Sequence, residues 1–362
     1  MTVHRSSRFF FVTTSRFLTD FVPMLFSAWW GGFFRAFGFG VGFWLVSPMG
    51  VPPCHGQPPP PLETTLDGAG EFLFSDEGLS PFLVSCASCH QPENAFQDSL
   101  ERALSGRIVQ TRNTPSVLNV ERYETFFWDG RAGSLEDQVE GPLFSRLEMG
   151  SSPEFVADYV ASSEYLQKCM GTNSIPDPVE FVKQALVSYM RSLSASYVPA
   201  HQVADTVADP ELSGLQEKGR DLFHGRAKCA SCHEGANLTD GGYHDIGLVR
   251  RKIVLQDTYI AKKRISSLIH DRGRGNVSFK QDDEHRFRTP SLYDVSRTAP
   301  YMHDGRFHSL EEVFDFYLRN KELQKKHDME LTAKDRKSIL AFLESLRLEP
   351  VERSGKKETE AD

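Results

Sequence analysis

Runs in which apolar and polar residues alternate are scarce in this chain of 362 residues, so a sandwich or barrel of strands is not expected. No cluster of Lys and Arg is interleaved with aromatics, which removes nucleic acid from the partners. The formal charge is −8, a modest acidic balance. The apolar stretch Ala36–Met49 is too short to span a membrane and follows Arg35, which suits the core of an export signal better than a membrane helix. Cysteine is sparse. Of six cysteines, four fall in two copies of one pentapeptide, leaving Cys54 and Cys169 either free or paired if the compartment is oxidising.

That pentapeptide is Cys-Ala-Ser-Cys-His, at 86–90 and again at 229–233. Cys-x-x-Cys-His is the attachment signature of c-type haem: the two thiols add across the porphyrin vinyls and the His becomes the proximal iron ligand. A lone Cys-x-x-Cys also suits zinc or a redox dithiol, but a His directly after the second Cys in both copies argues for haem. Two covalently bound haems are therefore expected, on Cys86, Cys89 and His90 and on Cys229, Cys232 and His233. Such attachment happens outside the cytoplasm, so the chain is expected to be exported and periplasmic. Residues 1–61 read as a signal segment and a Pro-rich linker ending at Pro58–Pro61, with a start at Met24 as an option and a retained N-terminal anchor as the alternative. Cys54 follows Val-Pro-Pro, a poor lipoprotein cleavage site.

Two haem domains are expected, 62–205 and 206–350, each opened by its motif and each long enough to bury a core. Phe181, Leu186, Tyr189 and Leu193 lie on one face of an expected helix. Leu215, Gly219, Leu222 and Phe223 lead into the second motif. Thr332 reads as a helix cap before the stripe Ile339, Phe342, Leu343 and Leu346. The glycine-bearing, charged segment Gly241–Arg286 reads mostly as loop. The tail 351–362 lacks apolar residues and is expected to be disordered. Beyond the pentapeptide, no finer repeat is evident between the halves.

The stretches RNTPSVLNVERYETFFWDGRAGSLEDQVEGP (112–142) and FRTPSLYDVSRTAPYMHDGRFHSLEEV (287–313) resemble the bacterial di-haem cytochrome c peroxidases. The resemblance runs from about Glu71 to Leu348. It implies a mainly α fold of two cytochrome c-like domains around a shared interface, with long loops, little strand, and C-terminal residues that can return to the first domain. Within the family the second haem of peroxidases proper has a Met ligand fourteen residues after the His of a P-Y-x-H element. Here that His is His303 and the position holds Tyr317, as in the MauG-like branch. Met302 sits where the family has an apolar residue and reads as packing. The peroxidases also carry a distal His after the first motif, whereas no His occurs between Gln91 and Trp128. The resemblance then implies a first haem open at its sixth position, with no need for reductive activation.

The same resemblance implies a peroxide pocket of Gln138, Pro142 and Glu148, with Glu148 shuttling the proton, Gln138 bonding the bound oxygen and Pro142 filling space. It places Trp128 between the haems. It implies a Ca2+ ion held by the Asn113 side chain and the carbonyls of Thr298 and Pro300, oxygen donors that suit a hard cation. Two departures stand out. Ala227 replaces a surface Trp that relays charge from a protein partner, so that route is in doubt. Leu292-Tyr293-Asp294 replaces the family's Leu-Arg-Asn.

The expected function is an exported di-haem oxidoreductase that reduces hydrogen peroxide at the N-terminal haem and draws electrons through the C-terminal one, with MauG-like high-valent chemistry and a protein substrate or small redox donor. One alternative is a plain peroxidase detoxifying peroxide with a small cytochrome c or cupredoxin. Another, of a different class, is a non-enzymatic di-haem electron carrier.

Overall fold

Helices begin where the sequence places caps. Thr65 Oγ1 accepts from Gly68 N and opens α1 (Leu66–Ser75). Ser134 Oγ accepts from Asp137 N at the start of α2 (Leu135–Phe144). Asp177 caps α5 (Pro178–Ser196), whose first residue is a proline. A side-chain oxygen at this position satisfies one orphan amide of the first turn. Between them lie α3 (Pro153–Ser162) and α4 (Glu164–Thr172). The second half contains α6 (Pro210–His224), the single turn α7 (Gly275–Ser278), α8 (Leu310–Arg319), α9 (Lys321–Lys326) and α10 (Arg336–Glu344). Thr332 caps the turn Ala333–Asp335 that leads into α10. The computed structural model describes residues 64–350 apart from 106–107, 200–209, 249–252, 261–262 and 270. The expected export segment and linker (1–61), Cys54, the tail (351–362) and the 205/206 boundary lie outside the described residues.

The described residues belong to one compact unit with separate hydrophobic clusters. The first gathers Leu73 and Phe74 of α1, Leu135 and Leu143 of α2, and Phe181, Leu186, Tyr189 and Leu193 of α5, so the expected α5 stripe is its spine. Each large apolar side chain removed from water this way contributes about 1.5–3 kcal/mol. The second gathers Ala227, Val295, Leu310, Phe314, Ile339 and Leu340. Phe223, Phe342 and Leu346 form a third beside it. In each half the helix before the haem motif crosses the half's last long helix through a glycine. A Cβ on Gly70 would collide with the Ala185 carbonyl, and one on Gly219 with the Ser338 carbonyl. Close backbone approach explains why glycine is tolerated inside both helices despite its conformational cost.

Strand is minor, as expected, and confined to two-stranded antiparallel pairs among the described residues. The pair β1 (Leu104–Ser105) and β2 (Ile108–Val109) flanks the first motif. The last strand, β8 (Leu348–Pro350), pairs with β3 (Tyr197–Pro199), and Leu348 is buried in the first cluster. Residues Leu348–Pro350 therefore do return to the first half. The segment 241–286 departs from the loop reading. Tyr243–His244 (β4) pairs with Phe287–Arg288 (β7), and Ile253–Ile260 (β5) pairs with Lys263–Ile269 (β6). Short runs rich in Ile, Val, Leu and Thr support that hairpin, although a register shift between Leu255 and Thr258 breaks the alternation that would have announced it.

The structure also corrects the view that the halves share only the pentapeptide. From Asn113 to Phe144 the first half corresponds, without a gap, to Arg288–Arg319 of the second. Both segments carry Thr-Pro-Ser, Asp-Gly-Arg and Ser-Leu-Glu. Asn119 and Asp294 both take φ near +55°, at 54° and 58°, before matching turns at Val120–Arg122 and Val295–Arg297. The bridge Phe126–Ala132 matches Tyr301–Phe307. Ser134 caps α2 as Ser309 caps α8. The equivalent residues then bond reciprocally across the molecule. Asn113 N donates to His303 O at 2.9 Å, and Arg288 N donates to Trp128 O at 2.8 Å. Because Asn113 corresponds to Arg288 and Trp128 to His303, the halves meet through the same contact made twice, the intrachain counterpart of a two-fold interface.

Candidate functional site

At the first motif a turn, Cys86–Ser88, is closed by Ser85 and Ser88 and leads to His90. His90 Nδ1 lies 3.1 Å from Phe96 O. A carbonyl only accepts, so Nδ1 carries the proton and Nε2 is left with its lone pair free, the tautomer an iron ligand needs. The second motif repeats this. The turn Cys229–Ser231 precedes His233, whose Nδ1 lies 3.2 Å from Leu238 O. Burial holds both imidazoles below their usual pKa and hence neutral. Burial also pushes the Cys86, Cys89 and Cys229 thiols up to about 12.

Glu148 faces the first motif. Its carboxylate acts on both Cys86 and Cys89, and burial raises its own proton affinity against the pull of Arg131. The loop after α2 folds back to place it: Glu148 N donates to Ser145 O at 2.9 Å, Met149 N to Pro142 O at 3.1 Å, and Ser105 Oγ to Glu148 O at 2.8 Å. Gln138 and Pro142 stand four residues apart on α2 and so share a face. Both are half-buried. Phe82, Leu83, Leu104, Val109 and Leu147 are exposed. Leu104 O lies 3.9 Å from Cys89 Sγ, and Leu147 O accepts from Gln110 of the β2 end. A thiol pair and a ligand-ready His, with exposed apolar side chains nearby in the chain, fit a flat, greasy porphyrin.

The second motif opens on a cavity of about 320 Å³. Cys229, Cys232, His233 and Tyr317 line it, with Leu310, Val313 and Phe314 of α8 among its apolar walls. Burial drives the Tyr317 phenol well above its usual pKa, and negative charge on Cys229 and Cys232 would add to that, so the hydroxyl sits close to the motif. A bound cation reverses this preference and favours phenolate. The donor set fits a second haem. Met302 also lines the cavity. Cys232, Asp240 and His244 bring three donor atoms within 4.8 Å of one another, with His244 Nε2 2.7 Å from Asp240 Oδ2. A Cys232 thioether would leave too few donors for a separate metal centre there.

Trp128 stands where the halves meet. Its Nε1 donates to Asn113 O at 2.9 Å, its carbonyl accepts from Arg288 N, and its ring lines the second cavity. Asn113, Thr298 and Pro300 line the same cavity. Asn113 is buried, and its Nδ2 is committed to Leu100 O at 2.8 Å, which leaves the amide oxygen for another partner. Gln97, which the sequence did not single out, lies on this wall too. It is fully buried and donates to Ala299 O, and its Oε1 has no partner. A glutamine just after a haem motif carries no signal of that placement. Ala227 is fully buried in the second cluster, so that position offers no surface relay, and Cys169 is buried and free. No helix among the described residues is long and apolar enough to cross a membrane.

Residues 68–205 match the family described as di-haem cytochrome c peroxidase. The methylamine utilization protein MauG of Methylorubrum extorquens is 33% identical over 84% of this chain and 83% of its own length. Cytochrome c551 peroxidase of Pseudomonas aeruginosa is 32% identical over 83% of this chain and 82% of its own length. Among solved structures, a MauG-like protein associated with microbial copper homeostasis superposes with a TM-score of 0.64 at 26% identity, covering 79% of this chain and 90% of its own. The fold is also that of a diheme peroxidase from Burkholderia thailandensis, with a TM-score of 0.60 at 20% identity.

Proposed function

The chain belongs to the di-haem cytochrome c peroxidase family, a family of haem oxidoreductases, and from that premise we propose that it is an exported enzyme of the MauG-like kind. It reduces hydrogen peroxide at the His90 side and draws electrons in through the His233 side. Bound haems supply the redox chemistry, and the protein positions and insulates them. Glu148 takes the proton from the proximal oxygen of peroxide and delivers it to the leaving oxygen, a task suited to a half-buried carboxyl whose proton affinity is raised. Gln138 would donate to peroxide, and Pro142, which has no ligating atom, would leave its side of the helix without a competing ligand. Trp128 divides the electron path between the halves, and His233 and Tyr317 would hold the iron of the second haem. A Ca2+ ion is held by Asn113, Thr298 and Pro300 at the seam. The electrons come from a small redox protein or from residues of a protein substrate.

The observation that carries this reading is the unlike furnishing of two equivalent helices. At the position where α8 carries Tyr317, α2 carries Pro142, with Gln138 and Glu148 around it. A plain electron carrier has no use for one half lacking a ligand. Detoxification with a small cytochrome c or cupredoxin as donor is the second reading, favoured by Ala227, which is buried and supplies no surface relay to a protein substrate. The test mixes the oxidised two-haem protein with stoichiometric peroxide in a stopped-flow spectrometer, with no prior reduction. Prompt change in the absorption of both haems is expected. Reaction only after one haem is reduced would show a hidden ligand on the first iron and place the chain with the reductively activated peroxidases. Rapid turnover with a small donor protein would favour the second reading.

A further inference from the structure

Arg288 is a buried cation without a counter-ion. It is 7% exposed and lines the second cavity. Its Nε donates to Phe127 O at 3.2 Å, and its guanidinium lies 3.8 Å from the centre of the Tyr123 ring. Its Nη1 is buried with no hydrogen-bond partner, and no carboxylate pairs with it among the described residues. Three acidic side chains line the same cavity, and each is engaged elsewhere; Asp245 accepts from Gly247 N at 2.9 Å. Asp271 takes two bonds from Arg112, at 2.6 and 2.8 Å, and Asp304 takes three from Arg306. Arg112 shows what the fold does with a cation it neutralises itself: besides Asp271 it reaches Asp129 at 2.8 Å. A buried, uncompensated guanidinium with a free N–H costs several kcal/mol unless an anion meets it.

We propose that Arg288 binds a propionate carboxylate of the haem seated in the second cavity and, as a positioning residue, raises that haem's reduction potential. The inference rests on the reading that the Cys229–Cys232–His233 motif holds a haem. A guanidinium is the side chain best shaped for a carboxylate, and stacking on Tyr123 fixes its plane. Its fixed positive charge opposes the extra charge of ferric iron and so favours the ferrous state. The position equivalent to Arg288 in the first half is Asn113, which is neutral, so this device belongs to the second half alone.

The test compares Arg288→Met and Arg288→Lys with the parent in the full holoprotein. Haem content is read first from the pyridine haemochrome spectrum: two haems per chain uphold the reading beneath, and one haem in the parent defeats it whatever Arg288 does. Midpoint potentials of both haems are then followed by spectroelectrochemistry. Arg288→Met is expected to shift the second haem's reduction equilibrium toward ferric iron about tenfold, ~59 mV for one electron, with the first haem unmoved. Arg288→Lys is expected to recover most of that shift. Should Arg288→Met lose the second haem, retention of that haem with a near-parental potential in Arg288→Lys supports the charge role. Unchanged potentials in a fully loaded Arg288→Met protein, a shift confined to the first haem, or a defect in Arg288→Lys as large as in Arg288→Met would overturn the proposal.

Discussion

Helix α2 and helix α8 leave matching Asp-Gly-Arg turns through matching serine caps, yet they carry different side chains at equivalent positions. Where α2 presents Gln138 and Pro142, α8 presents Val313 and Tyr317. Where the first half continues to Glu148, the second continues to Leu323, which is buried. On the proposed reading the first half offers an amide, a carboxyl and a proline that cannot ligate iron. The other combines a phenol with apolar walls. Shared backbone sets where a side chain points, and a few substitutions at equivalent positions then change the donor groups on offer. The pairs Gln138/Val313 and Pro142/Tyr317 lie on one helix face per half, while caps, turns and crossing glycines stay alike.

The comparison breaks most visibly at Glu148. Glu148→Gln keeps the shape and removes the proposed proton shuttle, so peroxide reduction should slow by about 10²–10⁴ in single-turnover kinetics while the second haem's spectrum is unchanged. Arg112→Met attacks the seam. It leaves Asp271 and one bond of Asp129 uncompensated and should cost about 3–5 kcal/mol in denaturant unfolding. The same pair gives a pH dependence. Burial alone would raise the Asp271 carboxyl, but its bonds to Arg112 overcome that and hold it below the usual range. Its contribution is therefore full above the ordinary carboxylate pKa and is lost as pH falls through the depressed value, a loss that Arg112→Met should abolish. Gly70→Ala and Gly219→Ala sharpen the likeness instead. Each inserts a methyl against a carbonyl of the crossing helix, and each should cost about 1–3 kcal/mol in thermal unfolding. A large cost in one half only would show that the crossings are not equivalent. Tyr317→Met exchanges an anionic oxygen for a thioether. It should raise the second haem's potential by at least about tenfold in equilibrium, ~59 mV, with the peroxide reaction of the first half still requiring no reduction.

Much of this was readable in the residues. The repeated pentapeptide announced two haem sites, the stripe from Phe181 to Leu193 announced α5, and Thr332 announced the C-terminal helix. The correspondence of Asn113–Phe144 with Arg288–Arg319 was not, because identities are confined to short islands and the spacers back to each pentapeptide differ, the second carrying the β5–β6 hairpin. That hairpin was itself hidden by charges and a register shift. Gln97 and Arg288 could not be recognised at all. What marks them is an unpaired buried atom, and pairing depends on partners far away in sequence, such as Ala299 for Gln97 and Phe127 for Arg288.

The pairing of β8 with β3 has a consequence for how the protein is made. The first hydrophobic cluster begins at α1 but is not complete until Leu348 is in place, almost the last described residue. A chain synthesised or threaded from its N-terminus therefore presents the first haem motif long before the core behind it can close. Contacts that span the whole sequence form slowly. The first half is thus the earlier one to emerge and the later one to be sealed, and the thiols of Cys86 and Cys89 remain approachable throughout that interval.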